Sequence, residues 1–428
     1  MRSRWTRLLP IMLVTFIISF LDRTNIGFAL PSMAKDIGVT ATMSGFASGF
    51  LFIGYGLSQP VGGWLADRGR AKALVTILLL AWGIAGAAQG FIETGWQLVI
   101  VRFLLGAAEG GIFPAFLVII RNWFNSREQA RANGMWQLCY PLAAMISGPI
   151  AGYILTASDW RWLLILEGLF PIVWLAAWHF GTANSPKEAK WLTPEDRDAV
   201  ITYVNEGRPT PIHTEPFGSA VFRAQLKRPV MIFFTLAAIL WNIGFLAIVV
   251  WLPSALAEHD ISEVTVGWLT AIPYAVAIVA LIAMTRLADK TMRRWQICVG
   301  GLVLSAAALI VGSIVAPNSL VVTIVSVSIA AVGVYGGWPV YWSIPPSILP
   351  PSVHGAVLGA VNGIAVLGAF GGPYIVGWVR DLTGTFSAGM IVVACCLVGA
   401  AICIALARVD KAALSQTAAS TAPDPAAA

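Results

Sequence analysis

Residues 8–30, LLPIMLVTFIISFLDRTNIGFAL, form one apolar run broken by charge only at Asp22 and Arg23. About 20 such residues, wound as a helix, cross a hydrocarbon core of about 30 Å. A charge at bilayer depth costs at least ~2.5–3.5 kcal/mol, so these two side chains require an internal polar cavity. Residues 96–116, WQLVIVRFLLGAAEGGIFPAF, repeat the pattern with Arg102 and Glu109. Two carboxylates beside two guanidiniums make an anion site with a proton-binding group next to it.

Composition agrees. Of 428 residues, 58% are hydrophobic and 11% charged, against roughly 25% charged in soluble domains. A chain of this kind folds in lipid. The net charge of +6 does not point to nucleic acid, because the basic residues gather in short loops on one side, as the positive-inside rule describes. The five Cys, Cys139, Cys298, Cys395, Cys396 and Cys403, lie in apolar runs and suggest neither disulfides nor a metal site. Four scattered His, His179, His213, His259 and His354, supply no metal cluster and no nucleophile–base pair, so an enzyme is not expected. The basic start MRSRWTRLLPIML has no small-residue cleavage site after it and reads as a retained first span.

Twelve spans are expected, at 8–30, 43–65, 73–92, 96–120, 132–155 and 161–181, then 229–256, 264–286, 295–316, 319–343, 357–379 and 387–409. With both termini cytoplasmic, all but five of the 27 Lys and Arg fall on the inner side, the exceptions being Arg23, Lys35, Arg102, Arg161 and Arg380. The acidic loop AEHDISE then lies outside. The chain divides into an N-terminal bundle (1–181), a cytoplasmic linker (182–228), a C-terminal bundle (229–409) and a disordered tail (410–428). Within the linker, TPEDRDAVITYV predicts one helix capped by Thr193.

The halves repeat. WLADRGRAKAL recurs as RLADKTMRRWQ, with Asp67 and Asp289 222 residues apart. SGPIAG recurs as GGPYIVG, with Pro149 and Pro373 224 apart, and GGIFPAF as GGWPVYW at an offset of 226. Three motifs at nearly one offset indicate duplicated six-helix bundles, with substrate held near the midplane between rocking halves.

GGWLADRGRAK resembles the loop motif of the major facilitator superfamily, G-x-L-A-D-R-x-G-R-K, with one residue missing between Arg68 and Gly69. Arg102-Phe-Leu-Leu-Gly106 resembles its span-four R-x-x-x-G. Within that superfamily, FLDRTNIGFA, RFLLGAAEGGIFPAF, WRWLLILEGL and SPKEAKWLTPED resemble the anion:cation symporter family. The resemblance implies an all-α major facilitator fold in a bacterial inner membrane, a monomer amid lipid, and proton-coupled uptake of an organic anion by a rocker switch. The candidate cargoes are a sugar acid, a dicarboxylate or an aromatic carboxylate. No cofactor is implied, the proton being the coupling ion.

Counted along the helices, Arg23 and Arg102 lie level, about 10 Å below the outer edge. Either is an anion ligand, the alternatives being a structural salt bridge or an outward-snorkelling side chain. Guanidinium suits the task because its planar fork matches a carboxylate, and the resemblance implies a clamp role for Arg23. Glu109, two turns beyond Arg102 on the same face and about 10 Å deeper, has lost its water and is a candidate proton carrier. Arg102 opposes that role, and substrate engaging Arg102 would relax the opposition; the alternative is a permanent Arg102–Glu109 pair. Asp22, about 100° around the helix from Arg23, is a second protonation candidate. Glu167, near the outer end of span six, is expected to be structural or interfacial.

Asp67, Arg68 and Arg70, with Asp289 in the repeat, are the gating candidates, since an Asp at a helix end can cap a neighbour; a solvated loop is the plainer alternative. Arg121, Arg127 and Arg131 set topology. The remaining substrate-binding candidates are Tyr55, Tyr140, Asn242, Trp342 and Asn362, polar or aromatic groups in apolar helices. Tyr55, Trp342 and Asn362 match cavity-lining positions of the resembled family. For any single aromatic, including Tyr335 and Trp338, packing is the competing explanation. A multidrug antiporter shares the fold but carries an acidic cavity and a longer glycine pattern, where this chain has Ala144. A non-transporting anion sensor would have similar spans, yet neither linker nor tail resembles a signalling domain.

Overall fold

The computed structural model describes residues 4–125, 128, 129, 132, 135, 136, 138–206, 219–315, 319–345, 348–350 and 354–420. All regular structure among the described residues is helical. The first half contains α1 (Leu9–Thr24), α2 (Ile26–Ile37), α3 (Ala41–Leu65), α4 (Ala71–Ala88), α5 (Gly95–Glu109), α6 (Ile112–Trp123), α7 (Cys139–Ala157) and α8 (Trp160–Gly181). The linker carries α9 (Pro194–Glu206) and α10 (Ala220–Leu226). The second half contains α11 (Pro229–Ala257), α12 (Glu263–Thr291), α13 (Arg294–Val315), α14 (Leu320–Trp342), α15 (His354–Thr383) and α16 (Phe386–Ser420).

Eleven helical stretches among the described residues are long and apolar enough to cross a membrane. One of them, residues 41–91, is 51 residues long, about 77 Å if straight and too long for a single crossing. It bends at Gly69 (φ 76°, ψ 16°) into α3 and α4, which agrees with twelve crossings. The left-handed turn at Gly69 is how a loop motif short of one residue still reverses the chain. The crossings that carry Asp22, Arg23, Arg102 and Glu109 are each divided into two helices, at Asn25 between α1 and α2 and at Gly110–Gly111 between α5 and α6, with the backbone there still in the right-handed helical region.

Short polar side chains start the helices at one end of the bundle. Thr40, Ser262 and Ser319 cap α3, α12 and α14, Asp159 caps α8, and Thr94 with Gln97 forms a capping box on α5. Each oxygen takes an amide that the first helical turn leaves without a partner. Thr193 begins α9 in the same way, its hydroxyl accepting from the Asp196 amide at 3.2 Å. Asp67 lies two residues past the end of α3 and Asp289 near the end of α12, while Pro149 and Pro373 sit inside α7 and α15. The last helix runs on to Ser420, past the expected end at 409, through an alanine-rich stretch of high helix propensity. Residues 421–428, Arg127, Arg131 and His213 lie outside the described residues.

At the capped end the halves touch backbone to backbone. A Cβ on Gly45 would stand 2.2 Å from the Pro373 carbonyl oxygen, and one on Gly148 would stand 2.3 Å from that of Gly267. Only glycine permits that approach. Asp381, at the end of α15, reaches the start of α3 in the other half, accepting from the amides of Thr42 (2.7 Å) and Ala41 (3.2 Å) and the Thr42 hydroxyl (2.5 Å). Toward the opposite end of α15, a Cβ on Gly359 or Gly363 would meet nothing within 4 Å.

Candidate functional site

Glu109 closes α5 just before the helix break, and close packing brings its partners in. A Cβ on Gly54 would lie 2.3 Å from the Phe103 carbonyl oxygen, one on Gly106 1.9 Å from that of Leu51, and one on Gly110 2.2 Å from that of Tyr55. These glycines set α3 directly against α5 and carry Tyr55 to the centre.

Arg23, from the last turn of α1, reaches Glu109 with Nη2 at 2.7 Å and Nε at 2.8 Å, both on Oε2. Ser19 Oγ donates to the same oxygen at 3.0 Å and accepts from Arg23 Nη2 at 3.2 Å. The guanidinium stands 4.5 Å from the Tyr55 ring centroid, a cation–π distance. Glu109 is fully buried and Arg23 nearly so. Glu109 Oε1 is buried with no hydrogen-bond partner among the described residues. Tyr140, its ring edge-on to Phe20 at 5.2 Å, comes from α7 and packs against both hydrophobic cores of the protein.

The permanent Arg102–Glu109 pair, the alternative to a proton-carrying Glu109, does not form among the described residues: Glu109 pairs with Arg23. Two helical turns along one helix separate the pair too widely for an ion pair, whereas α1 crosses where Arg23 can reach down to Glu109. Arg102 turns the other way. Its Nη1 donates to the Asp22 backbone carbonyl at 3.0 Å, beside the helix break, and to Gln89 Oε1 at 3.4 Å. The Asp22 carboxylate accepts from the Trp82 indole N–H. Asp22 and Arg23, adjacent in sequence, therefore serve two different clusters. The carboxylate of Glu109 is thus paired with Arg23 and not with Arg102.

Across the second half, Asn242 turns its amide back onto the Ala238 carbonyl at 3.1 Å, a local bond within α11. Trp342 is half-buried, edge-on to Trp338 at 5.6 Å and to Tyr341 at 5.4 Å. Asn362 is half-buried on α15. Among the gating candidates, Asp67 pairs with Arg121 at 2.8 Å, both exposed, so the pair itself contributes at most about 1 kcal/mol. Arg68 lies over the Trp64 ring at 3.5 Å. Arg70 and Asp289 are exposed. A crevice of about 230 Å³ at the capped end, lined by Thr40, Thr42, Met43, Phe46, Trp96 and Tyr374, holds no charged group and is not this site.

Sequence reasoning passed over Ser19, Trp82 and Gln89, and also the chain Thr24–Ser147–Asn25. There Thr24 Oγ1 donates to Ser147 at 2.8 Å, and Ser147 donates to Asn25 Oδ1. Gln89 and Asn25 carried a signal, being amides within apolar runs. Small hydroxyls gave none, since Ser and Thr can satisfy themselves on their own helix.

The model of the Major Facilitator Superfamily matches residues 12–373 and 252–426. A "Putative tartrate transporter" of Agrobacterium vitis is 30% identical over 412 residues, covering 94% of this chain and 90% of that protein. A quinolone resistance transporter of Acinetobacter baumannii is 27% identical, with coverages of 90% and 89%. A hexuronate transporter of Bacillus subtilis is 26% identical, with coverages of 90% and 90%. The fold matches an inward-facing, unoccupied crystal structure of a bacterial homologue of the human lysosomal transporter Spinster, with a TM-score of 0.74 at 16% identity over 95% of this chain and 96% of that one.

Proposed function

The chain belongs to the major facilitator superfamily, whose members are multi-pass transporters and not enzymes, and on that premise we propose that it imports an organic acid together with protons by rocker-switch alternating access. The observation that carries this reading is the buried Arg23–Glu109 pair, 2.7 Å apart at the junction of two interrupted crossings. A guanidinium already holding one carboxylate is a site for another, and the two acids compete for it.

That competition is the coupling. With Glu109 ionised, Arg23 is occupied and substrate is held weakly. A proton arriving on Glu109 forms an O–H bond, removes the negative charge and leaves the guanidinium free for a substrate carboxylate. Proton and anion then cross together, adding little net charge to the low-dielectric centre. On the cytosolic side Glu109 loses its proton, takes Arg23 back and expels the acid. Tyr55 and Tyr140 flank the clamp, and Trp342, Asn242 and Asn362 supply the aromatic and amide wall for the body of the acid. Closure at the end bearing Asp381, taken with cytoplasmic basic loops, corresponds to an inward-facing state.

The test is uptake into proteoliposomes under an imposed pH gradient. The panel is labelled tartrate, a hexuronate, an aromatic carboxylate and a quinolone. Accumulation of one of the acids, collapsed by a protonophore, supports the proposal. The quinolone-resistance relative keeps drug–proton exchange as the second reading; quinolone exchange with no acid uptake would overturn the first.

A further inference from the structure

A further buried acid, Glu167, has so far been given only a structural or interfacial part. Glu167 on α8 is 7% exposed, and both of its carboxylate oxygens are buried with no hydrogen-bond partner among the described residues. It is not stranded at random. Its neighbour Gly168 presses α8 onto α4, where an added Cβ would lie 2.0 Å from the Ala87 amide nitrogen. A Cβ on Gly86 would lie 2.8 Å from Gly168 Cα and 4.0 Å from Asp22 Oδ2. The Asp22 carboxylate and the backbone beside Glu167 thus both border the same face of Gly86. Glu167 interacts electrostatically with Asp22 and Arg102.

The surrounding groups leave little else to balance it. Arg161, on the same helix, is spent on Asp36 at 3.0 Å and on the carbonyls of Gly90 and Ile92. From α4 come only the neutral Trp82 and Gln89, from α1 Asp22 and Arg23, and from α5 Arg102 and Glu109, of which Glu109 and Arg23 also act electrostatically on Asp22; Arg102 Nε is itself buried without a partner among the described residues. Apart from Arg4, paired with Glu128 at 3.0 Å, the buried charges of this half are Arg23 and Arg102 against Asp22, Glu109 and Glu167. Arg23 is taken by Glu109. Arg102 is then the one cation for two acids, and an uncompensated charge at such depth is expensive.

We infer that Asp22 and Glu167 form an acid pair sharing one exchangeable proton around Arg102, distinct from the proton on Glu109. Transfer within the pair breaks the O–H bond on one carboxyl and forms one on the other, with no change in total charge. Arg102 follows the remaining carboxylate. Glu167 is thereby a positioning residue for Arg102 and a second proton store. The inference rests on the proton-coupled reading above, but its test does not need the cargo.

The test is an infrared pH titration of the purified full-length protein in lipid, with no substrate added. It compares wild type, Glu167→Gln and Glu109→Gln. Glu167→Gln should remove one titrating carboxyl band and displace the band that Asp22→Asn identifies as Asp22. Glu109→Gln should remove a different band; because Glu109 also acts electrostatically on Asp22, the Asp22 band shifts, but the Asp22 and Glu167 bands both remain. A Glu167→Gln spectrum that loses no titrating band, or loses one with the Asp22 band unmoved, overturns the shared proton. Should Glu167→Gln fail to express, Glu167→Asp keeps the carboxyl but shortens its reach, and must shift both bands together. Failure of every acid in the uptake panel would sink the transport reading and leave this titration unchanged.

Discussion

Arg23 contacts Glu109 at 2.7 Å from a different helix, while Arg102, on Glu109's own helix, holds the Asp22 carbonyl at 3.0 Å. The two guanidiniums that lie level in sequence have separate partners, so their substitution should have separate signatures.

Arg23→Ala is expected to abolish uptake and substrate binding. It also strands the Glu109 carboxylate, and breaking a buried pair costs roughly 3–5 kcal/mol, so thermal stability in detergent should fall as well. The double variant Arg23→Ala/Glu109→Gln removes the stranded charge and should recover most of that stability without recovering transport. Arg23→Lys should rescue poorly, lacking the fork. The measurements are melting temperatures and uptake for the four proteins; uptake by Arg23→Ala near wild type refutes the clamp.

Much of this was legible in the sequence for one physical reason. Lipid tolerates few charges, so Asp22, Arg23, Arg102 and Glu109 announce a polar interior before any coordinates exist. The spans and the linker helix after Thr193 were readable from hydropathy and capping. Partner choice was not. Counting 1.5 Å per residue ranks depth along each helix but does not say which helices cross, and Glu109 goes to Arg23 because α1 passes α5 where glycines let α3 in close. The breaks at Asn25 and at Gly110–Gly111 matter equally. Glycine pairs are common in apolar runs, so the one at Gly110–Gly111 does not stand out from composition, whereas Asn25 does, as an amide in an apolar run. Glu167 lies within α8, and its burial depends on Gly168 meeting Gly86 on another helix.

The Asp381 carboxylate caps α3 across the halves, with Thr42 at 2.7 Å and 2.5 Å. Removing a helix cap costs about 1 kcal/mol, so Asp381→Ala should shift the balance roughly five-fold toward opening at that end. Electron–electron distances between spin labels at Phe91→Cys and Val315→Cys, in a background lacking the five native cysteines, read this directly. An unchanged distance distribution would show that the cap is incidental.

Gly148 and Gly267 face each other so closely that a Cβ on either would lie 2.3 Å or 2.2 Å from the other's carbonyl oxygen. Gly148→Val cannot fit without separating α7 from α12, and overpacking typically costs 1–3 kcal/mol. The variant should fold but populate the form open at the capped end, with uptake reduced ten-fold or more. The same pair of spin labels should report a longer distance. Wild-type uptake by Gly148→Val would mean that this contact does not gate the cycle.

Glu109→Gln tests the coupling itself. Glutamine keeps the length of the side chain and an oxygen that can still accept from Arg23 and Ser19, but it cannot gain or lose a proton. Arg23 then faces a neutral partner, so substrate should bind at least as tightly as in wild type, because the internal competitor is gone. With the same acid on both sides of the membrane, the variant should exchange it, since exchange needs only the loaded protein to turn over. Under a proton gradient it should fail to accumulate the acid, because nothing at the clamp can release a proton to the cytosol and reclaim the guanidinium. Exchange should also lose its dependence on external pH. If Glu109 instead served only to hold Arg23 in place, glutamine would loosen the clamp, and binding, exchange and accumulation would fall together. Proton-driven accumulation at the wild-type level by Glu109→Gln would remove Glu109 from the coupling and pass that role to Asp22.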